Sequence, residues 1–505
     1  MSRRKNSIQN AAVALISEIV VALVGFLFPR AIIVNYGSDA NGLVTSLQQI
    51  MQYFVLVEAG LSGAAVFALY EPLAQNDLSR IQRILGSARK MYSKIGMVFL
   101  ALVLVTSAVY PLVIAKGDYA YWEVAALFCL MATNGASQLL FIGKYKVLLN
   151  ASQNSRYVAL INSASTCLYS GLIILGAYIR LPLLLAVGIG VLAYLVRAAA
   201  YYFAVRKLFP DYSFRGKGDY HFDNQKEVFI QQILSMVVVN SSVLLLSFTK
   251  TELSEISVFT VYNMVLTAVF LLMNSVHTGV SASFGDLIAR KEQPKLQKAY
   301  GEYQALYHVF WTVVFTCVSV LYQPFIAIYA GEFTDAVYVR PLLCVLFSIN
   351  GALWTLRLEQ SVPIAAAGLF KETQRGSIIE AIVTVVLSAA GLLLWGIEGM
   401  MVGRIIACLY RVTDFLCKNH RRVLGMKIWF TLKGLLASTG VMVLVNLVFG
   451  IVLKRVTVDN YFKWILLAVV VAVISAVAAL AANALLYPGQ YQKILGKYLR
   501  KNRGD

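Results

Sequence analysis

Ten charged residues lie inside long apolar segments of the chain. The five cations are Arg30, Arg197, Arg357, Arg404 and Arg411, and the five acids are Glu18, Glu58, Glu359, Glu380 and Asp414. In a hydrocarbon environment, a charged side chain pairs with an opposite charge, lines a water-filled cavity or binds a ligand. These residues are therefore the first candidates for a site that binds ions or charged substrates.

Three of the charges have a ready structural explanation. Arg411 and Asp414 are three residues apart on one predicted helix, so their side chains can meet on the same face. Glu380 falls at a similar depth in the preceding apolar segment and could join them, so we expect a mainly structural trio. Arg404 lies two helical turns before Arg411 and extends the same stripe, which makes it a better candidate for lining a cavity.

The other cations and several neutral polar residues predict a site for an anionic or polar substrate. Each member also has a structural alternative: an arginine can extend to the membrane interface, a histidine can be a satisfied core residue, and an asparagine can bond to a neighbouring helix. The predicted substrate-binding set is Arg30, Arg197, Arg357, Arg404, Asn240, Asn274 and His277.

Carboxylates within the predicted spans suggest a site for a coupling ion. Glu18 and Glu58 fall near the middle of the first two spans, and Glu359 lies two residues from Arg357, on a different helix face. Such groups can bind H⁺ or Na⁺, but burial can also keep them neutral. The ion-coupling candidates are thus Glu18, Glu58 and Glu359, and coupling to a H⁺ gradient, a Na⁺ gradient or the membrane potential alone stays open.

No motif predicts catalysis or a bound cofactor. The four histidines (His221, His277, His308 and His420) form no HExxH motif, and the chain has no phosphate loop, GxSxG or CxxC motif. The six cysteines all lie in apolar segments, where we expect small buried hydrophobic residues. We therefore expect a protein that is not an enzyme and that has neither a metal site nor a cofactor.

The composition predicts a membrane protein. Hydrophobic residues make up 59% of the 505 positions, and the mean hydropathy is +0.70. Apolar runs of about 20 residues recur, which is the length that crosses a hydrocarbon core about 30 Å thick. They predict 14 spans, at approximately 8–34, 42–70, 91–115, 120–149, 157–179, 182–205, 227–249, 256–288, 303–330, 336–369, 376–396, 398–417, 428–453 and 462–487. The first is too long for a signal-peptide core, so we expect it to be retained.

The net charge of +19 is distributed as membrane topology requires. Of the 44 lysines and arginines, 32 fall in alternate loops and both termini, seven in the opposite loops and five within spans. Because positive loops stay on the cytoplasmic side, this pattern places both termini in the cytoplasm. Attraction to anionic lipid head groups explains the excess charge, and we expect no nucleic-acid partner.

An internal repeat divides the chain into two halves. Residues 71–92, EPLAQNDLSRIQRILGSARKMY, align without a gap to residues 286–307, DLIARKEQPKLQKAYGEYQALY, at an offset of 215 (286 − 71). Both copies follow one apolar segment and precede another, which predicts two six-span bundles with the same orientation. The repeated segment at 76–90 is amphipathic and predicts an interfacial helix, either a plain linker or an element that couples motion between spans.

The repeat sets the predicted domain limits and shows which polar positions correspond in the two halves. The limits are an N-terminal bundle at 1–210, a linker at 211–226, a C-terminal bundle at 227–418, two further spans at 427–487 and a basic tail at 488–505. At the same offset, Glu58 corresponds to Met273 and Lys144 to Glu359. The scaffold is repeated while the charges differ, which predicts an asymmetric cavity.

Two stretches resemble a known family of exporters. PRAIIVNYGSDANGL, residues 29–43, resembles the end of the first span of polysaccharide exporters in the multidrug/oligosaccharidyl-lipid/polysaccharide (MOP) superfamily, through Arg30, Gly37, Gly42 and Leu43. EAGLSGA, residues 58–64, is similar to the small-residue-rich second span of that family. The order of six, six and two spans also resembles the family.

The resemblance implies both a fold and a function. It implies an all-α membrane protein of about 14 helices, with two parallel six-helix bundles in a V shape like that of multidrug antiporters, and two C-terminal helices. It implies a flippase that moves an undecaprenyl-pyrophosphate-linked oligosaccharide across the bacterial cytoplasmic membrane by alternating access, for cell-surface polysaccharide biosynthesis. Buried arginines would neutralise the phosphates, and aromatic side chains would stack on the sugars.

Expected partners and alternative functions follow from the same resemblance. The partners are the lipid-linked oligosaccharide, membrane lipids and, in the same route, a polysaccharide polymerase and glycosyltransferases, and we expect a monomer. The main alternative is a flippase for lipid II, the peptidoglycan precursor. Further alternatives are a cation-coupled multidrug antiporter and a membrane glycan polymerase or ligase.

Overall fold

Helices follow one another along the chain with short connections. The computed structural model describes residues 3–55, 58–114, 119–214, 216, 218–220, 225–249 and 251–486, and every regular element in these ranges is a helix. The α-helices are α1 (Arg3–Tyr36), α2 (Ser38–Val55), α3 (Ala59–Gln75), α4 (Leu78–Ile114), α5 (Tyr121–Ala136), α6 (Gly143–Ala151), α7 (Ser155–Tyr178), α8 (Leu183–Gly190), α9 (Leu192–Leu208), α10 (Gln225–Phe248), α11 (Leu253–Ala289), α12 (Gln293–Tyr329), α13 (Pro341–Ala366), α14 (Phe370–Lys418), α15 (Trp429–Val452) and α16 (Tyr461–Leu486). Two π-helical turns, Ser137–Ile142 and Asn419–Leu424, follow α5 and α14.

Eleven stretches of the described chain are long and apolar enough to cross a membrane. One of them, Lys371–Leu424, contains two limbs, because α14 is broken at Trp395 and Gly396. Gly396 has a φ of 65°, which residues with a side chain rarely adopt. The shorter apolar helix Gln232–Phe248 and the pair α2 and α3 occupy the two remaining predicted spans. The expected all-α membrane architecture is confirmed, and the protein is a multi-pass membrane protein.

The 215-residue repeat is visible in the backbone. Helices α4 and α12 are both 37 residues long and begin at Leu78 and Gln293 (293 − 78 = 215). Two positions before each helix the backbone has a positive φ, 54° at Asn76 and 56° at Lys291. The predicted interfacial segment at 76–90 is therefore not a separate helix: from Leu78 onward, it is the first part of α4.

The correspondence continues through the next connection. Helices α6 and α13 end 215 residues apart, and α7 and α14 begin 215 residues apart. Between them, Gln153 and Gly368 have φ values of 60° and 70° at matching positions. Since positive φ is uncommon outside glycine, the matched pairs indicate that the duplication preserved turns as well as helices.

The chain divides into two compact units, Met1–Val261 and Tyr262–Asp505. The first unit holds α1 to α10 and the beginning of α11, and the second holds the remainder. In the second unit, α15 and α16 pack on α12 through a buried apolar cluster of Val320, Val445, Phe449 and Val471. The domain limits expected from the sequence stay predictions, and the basic tail at 488–505 lies outside the described residues.

Candidate functional site

A polar cavity of about 290 Å³ lies in the first unit, among α2, α5, α7 and α9. Amides and tyrosine rings supply most of its polar surface, and none of the residues lining it is charged. The lining residues are Gln48, Met51, Gln52, Val55, Met131, Asn134, Gly135, Gln138, Tyr169 and Tyr194. The cavity can thus offer both hydrogen-bond donors and acceptors to a neutral polar ligand.

Arg197, on α9, lies directly behind the wall of this cavity. Its Nη2 donates to the backbone carbonyl and the side-chain oxygen of Asn134, at 3.2 and 2.8 Å. Its guanidinium lies 5.1 Å from the ring centre of Tyr194, and its buried Nε has no hydrogen-bond partner among the described residues. No acid in the described ranges forms an ion pair with Arg197, so its charge has no direct partner of opposite sign.

Glu58, at the N-terminus of α3, reaches the same cavity through Gln138. The Nε2 of Gln138 donates to one carboxylate oxygen at 2.7 Å, and the Tyr92 hydroxyl donates to the other at 3.1 Å. Gln138 lies in the first π-helical turn, which inserts a residue and turns side chains away from α-helical register. That turn aims Gln138 both at Glu58 and at the cavity.

Aromatic rings form one side of the cavity. Tyr169 and Tyr194 stack with ring centres 5.0 Å apart and planes 20° from parallel. Phe28 of α1 extends the aromatic group, with its ring centre 6.3 Å from that of Tyr169. A flat ring presents an apolar surface on which the C–H face of a sugar can lie, while the nearby amides can bond to its hydroxyl groups.

A buried ion cluster lies in the second unit. Glu380 accepts from Arg357 at 3.1 Å and lies 3.3 Å from Arg411, which also donates to Asp414 at 3.0 Å. Lys418 lies 2.7 Å from the other oxygen of Asp414. The expected trio is therefore present, and Arg357 and Lys418 extend it. Arg357 neutralises Glu380 and not its sequence neighbour Glu359.

A second cavity, of about 390 Å³, is basic and lies at the ends of α14. It is lined by Ile364, Leu369, Lys371, Glu372, Thr373, Arg375, Lys418 and Arg422. Lys418 and Arg422 pair with Asp414 and Glu372, whereas Lys371 and Arg375 are exposed and form no ion pair with any acid that the structure describes. The cavity therefore has an excess of positive charge and suits an anion.

The cations that line this basic cavity are not among the substrate-binding residues predicted from the sequence. Its signal is visible in retrospect: Lys371 and Arg375 are four residues apart at one end of the α14 segment, and Lys418 and Arg422 are four apart at the other. Cations at this spacing share a helix face. Charges near the end of a span are common, so these four cations contribute to the loop charge that predicts topology and do not by themselves indicate a site.

The structure distributes the other predicted residues among different surroundings. His277 is buried, with its Nδ1 2.9 Å from the Tyr303 hydroxyl, and Glu359 is buried beside His308 and Gln304. The remaining candidates do not line either cavity. Glu18 and Asn274 are exposed, and Arg30, Asn240 and Arg404 are half-buried. Of the predicted set, only Arg197 and Glu58 border the first cavity, each through a lining residue.

Comparison with known proteins gives matches only at the level of structure. No protein-family model matches the chain, and no curated protein matches its sequence. The lipid II flippase MurJ, in an inward closed conformation, superposes with a TM-score of 0.71 at 15% identity, covering 94% of this chain and 99% of that chain. An inward-facing multidrug resistance MATE family transporter of the MOP superfamily gives 0.62 at 14% identity, covering 81% and 98%. A MOP superfamily transporter from Pyrococcus furiosus, described by a reverse polarity of its binding pocket, gives 0.55 at 14%, covering 84% and 96%.

These likenesses define the class of the protein by its fold. It has the polytopic α-helical fold that these neighbours share. More particularly, it has the fold of the MOP superfamily, which confirms for the fold the resemblance drawn from residues 29–43 and 58–64. The identities of 14–15% carry no information about the substrate.

Proposed function

We propose that the protein is a flippase that moves an undecaprenyl-pyrophosphate-linked oligosaccharide across the bacterial cytoplasmic membrane by alternating access, with both termini in the cytoplasm. The observation that carries the proposal is the end-to-end likeness to a lipid II flippase, which covers 94% of this chain and 99% of that one. The MATE transporter covers 81% of this chain. The flippase fold therefore accounts for more of the molecule than the multidrug transporter fold does, and the substrate is argued from the two cavities.

The basic cavity supports the pyrophosphate part of this proposal. Lys371 and Arg375 have no acidic partner among the described residues, so their charges are available to phosphate oxygens. In the topology predicted from loop charges, both ends of the α14 segment face the cytoplasm. Lipid-linked precursors would be loaded from that side.

The polar cavity of the first unit supports the glycan part. Its stacked Tyr169 and Tyr194 and its amide side chains suit a neutral saccharide. Its lining residues carry no charge of either sign, which suits a neutral saccharide better than a cationic drug. Arg197, held against Asn134, would add attraction for an anionic sugar or phosphate.

Lipid II transport is the second candidate, and the likeness to MurJ favours it specifically. The two substrates share the polyprenyl pyrophosphate and differ in the sugars. The basic cavity serves both, so only the glycan distinguishes them.

The test is reconstitution of the full-length chain in liposomes with either fluorescent lipid-linked oligosaccharide or fluorescent lipid II. Outer-leaflet glycan is measured as the fraction of fluorescence that is lost to a membrane-impermeant quencher added outside the liposomes. We expect rapid leaflet exchange of the oligosaccharide lipid, slowed about tenfold or more by the double substitution Lys371→Ala and Arg375→Ala, since each lost charge-assisted bond contributes roughly 1.5–3 kcal/mol. Lys463→Ala is the matched control, because Lys463 is an exposed cation paired with Asp459.

Each alternative gives a different result in this assay. Exchange of lipid II alone would replace the first candidate by the second. A change in glycan length or attachment would identify a polymerase or ligase. Transport of cationic drugs with neither lipid moved would contradict both flippase proposals.

A further inference from the structure

Glu359, on α13, is a fully buried carboxylate with too few donors. Its Oε1 accepts from Gln304 Nε2 at 3.3 Å and lies 3.6 Å from His308 Nε2. Its Oε2 has no hydrogen-bond partner, and no lysine or arginine in the described ranges forms an ion pair with it. A buried carboxylate oxygen without a donor carries a desolvation penalty, which a bound proton or cation would offset.

Histidines lie near Glu359. The chain has four histidines, and the three described ones all lie near this carboxylate. His308 of α12 is closest, at 3.6 Å, while His277 of α11 and His420 of the second π-helical turn are near enough to feel its charge. Histidine is the side chain whose charge changes most readily near neutral pH.

The other titratable neighbours are all tyrosines of α12. Tyr303 and Tyr307 feel the charge of Glu359, and Tyr300 donates to Gln360 beside it. Arg357 of α13 is paired with Glu380, and within the described part of the chain His308 is the basic side chain that lies within 4 Å of the Glu359 carboxylate.

The polar side chains around Glu359 have too few hydrogen-bond donors for their acceptors. Three buried side-chain oxygens in this group have no donor among the described residues: Gln304 Oε1, Glu359 Oε2 and Asn419 Oδ1. His308 is also buried with neither ring nitrogen hydrogen-bonded. Buried polar atoms that lack partners carry a penalty of their own, which one added proton would reduce at the centre of the group.

The same group links four elements of the second unit. Gln304 of α12 donates to Thr431 of α15 at 2.7 Å, and His420 lies 2.8 Å from the same hydroxyl. Asn419 of the π-helical turn donates to Gln360 of α13 at 3.0 Å. A change of charge at Glu359 would therefore alter bonds among α12, α13, α15 and the turn. The position corresponding to Glu359 in the first half is Lys144, so the first half has no equivalent carboxylate there.

We propose that Glu359 and His308 form a proton-binding site that supplies the coupling ion of the flippase, an inference that rests on the proposed function for its coupling role. Binding one proton changes the net charge of the pair from −1 to 0. The proton resides on His308 Nε2, giving an ion pair with the carboxylate, or on Glu359, giving a neutral hydrogen-bonded pair. The His308 ring nitrogen beside the carboxylate favours a proton, whereas the unpartnered oxygens of Gln304, Glu359 and Asn419 are the ligands that a sodium ion would use, so Na⁺ is the alternative that the experiment must exclude.

Nitrogen NMR of the full-length protein with ¹⁵N-labelled histidine, in lipid nanodiscs between pH 5 and 9, tests the site without any substrate. With only four histidines, His308→Gln identifies the His308 signal by its loss. We expect the His308 signal to titrate in the native chain, and its midpoint to move by at least about one pH unit, tenfold in proton affinity, in Glu359→Gln. Glu359→Asp should restore part of the native behaviour, and Asp459→Asn, at an exposed carboxylate, should leave it unchanged.

Two results of this titration would overturn the proposal. One is a His308 signal that does not titrate, or that titrates identically with and without the Glu359 carboxylate. The other is a saturable response of that signal to Na⁺ against choline at constant pH, which would make the site a sodium site. If Glu359→Gln does not fold, Glu359→Asp and the native chain still decide between these outcomes.

A second measurement separates the site from the proposed function. Liposomes containing an internal pH indicator report proton movement when lipid-linked oligosaccharide is supplied. We expect glycan-dependent proton movement in the native chain and its loss in Glu359→Gln. Glycan movement unaffected by an imposed pH gradient would overturn the coupling role. A titrating His308 in a protein that moves no glycan would instead contradict the flippase proposal and leave the proton site intact.

Discussion

Two arginines depend on the single buried carboxylate of Glu380. Arg357 and Arg411 both lie within 3.3 Å of it, and Arg411 is 2% exposed. Glu380→Ala would leave both cations without this partner, and breaking a buried ion pair from one side destabilises a protein by roughly 3–5 kcal/mol. We expect a large fall in thermal unfolding temperature, measured in detergent by intrinsic fluorescence.

The control for Glu380 is an exposed pair of the same chemistry. Lys463 donates to Asp459 at 2.8 Å, and this bond holds the pKa of Asp459 below its ordinary value. Such a pair is present at neutral pH and is lost only as the pH falls through that lowered pKa. Because both groups are largely in solvent, Asp459→Ala should leave the unfolding temperature unchanged. Equal effects of the two substitutions would contradict the structural role given to Glu380.

Arg197 should act through its shape as well as its charge. Lysine at this position keeps the charge but loses the guanidinium, whose Nη2 donates twice to Asn134 and whose carbon lies 5.1 Å from the ring centre of Tyr194. We expect Arg197→Lys to raise the KM for lipid-linked oligosaccharide about tenfold, the effect of one or two lost hydrogen bonds. The measurement is the concentration dependence of leaflet exchange in liposomes.

The matched control for Arg197 is Arg290→Lys. Arg290 is an exposed arginine that pairs with Asp286 at the surface, and the substitution should leave KM unchanged. A native KM in Arg197→Lys would mean that Arg197 serves the fold only and that the polar cavity does not bind the glycan.

At the scale of elements, the two limbs of α14 pack through glycines. A Cβ placed on Gly403 would lie 2.5–2.6 Å from backbone atoms of Leu387 and Ser388. Backbone atoms cannot yield as a flexible side chain can, so the limbs must separate. Gly403→Ala should therefore destabilise the protein by about 1–3 kcal/mol, the usual effect of overpacking.

Gly440, in the middle of α15, provides the opposite case. A Cβ at this position would meet no atom within 4 Å. Gly440→Ala should leave the stability unchanged or raise it by up to about 1 kcal/mol, because alanine favours the helix. Unfolding temperatures of the two variants give the comparison, and a stable Gly403→Ala protein would show that the limbs are not held by close backbone contact.

Helix positions could be predicted from sequence because apolar runs and membrane thickness determine them together. The predicted limits 157–179 and 428–453 agree within a few residues with α7 and α15. The π-helical turn at Ser137–Ile142 could not be predicted, since local propensity does not encode it and its stabilising contacts come from other helices. The same turn aims Gln138 at Glu58, so the contact between these two residues could not be predicted from the sequence either.

Charged residues of the site were predictable and its neutral residues were not. A charge in an apolar run stands out, which identified Arg197, Glu58 and Glu359. Gln48, Gln52 and Asn134 line the cavity, but an amide in a membrane helix serves equally well as a hydrogen bond between helices. Only the tertiary neighbours separate the two roles. Helical spacing did separate Arg357 from Glu359, which have different partners in the structure.

At the scale of the whole molecule, the repeat conserves the scaffold while the polar chemistry of the halves diverges. Tyr92 and Tyr307 occupy matching positions in α4 and α12. Tyr92 donates to Glu58, whereas Tyr307 donates to the Thr355 carbonyl and lies beside His277. The first unit has a polar cavity beside Arg197, and the second has the basic cavity and the buried Glu359. We infer that the two halves share a helical scaffold, and that the first half binds the glycan while the second binds the proton.

Membrane orientation decides whether this division can work. The loop charges place the beginning of α4 in the cytoplasm and the loop after α12 outside. Ser79 and Thr334 are exposed residues in these two regions. In a background with the six native cysteines replaced, a membrane-impermeant maleimide should label Thr334→Cys in intact cells. It should label Ser79→Cys only after the membrane is opened.

The labelling pattern also tests where the substrate is loaded. If the pattern is as expected, the basic cavity at the ends of α14 faces the cytoplasm, where a pyrophosphate-linked precursor would be made. Labelling of Ser79→Cys in intact cells, with Thr334→Cys protected, would invert the chain and place Lys371 and Arg375 outside. The cavity could then receive only a lipid that had already crossed, so the proposed direction of transport would be wrong even if the fold and both cavities were unchanged.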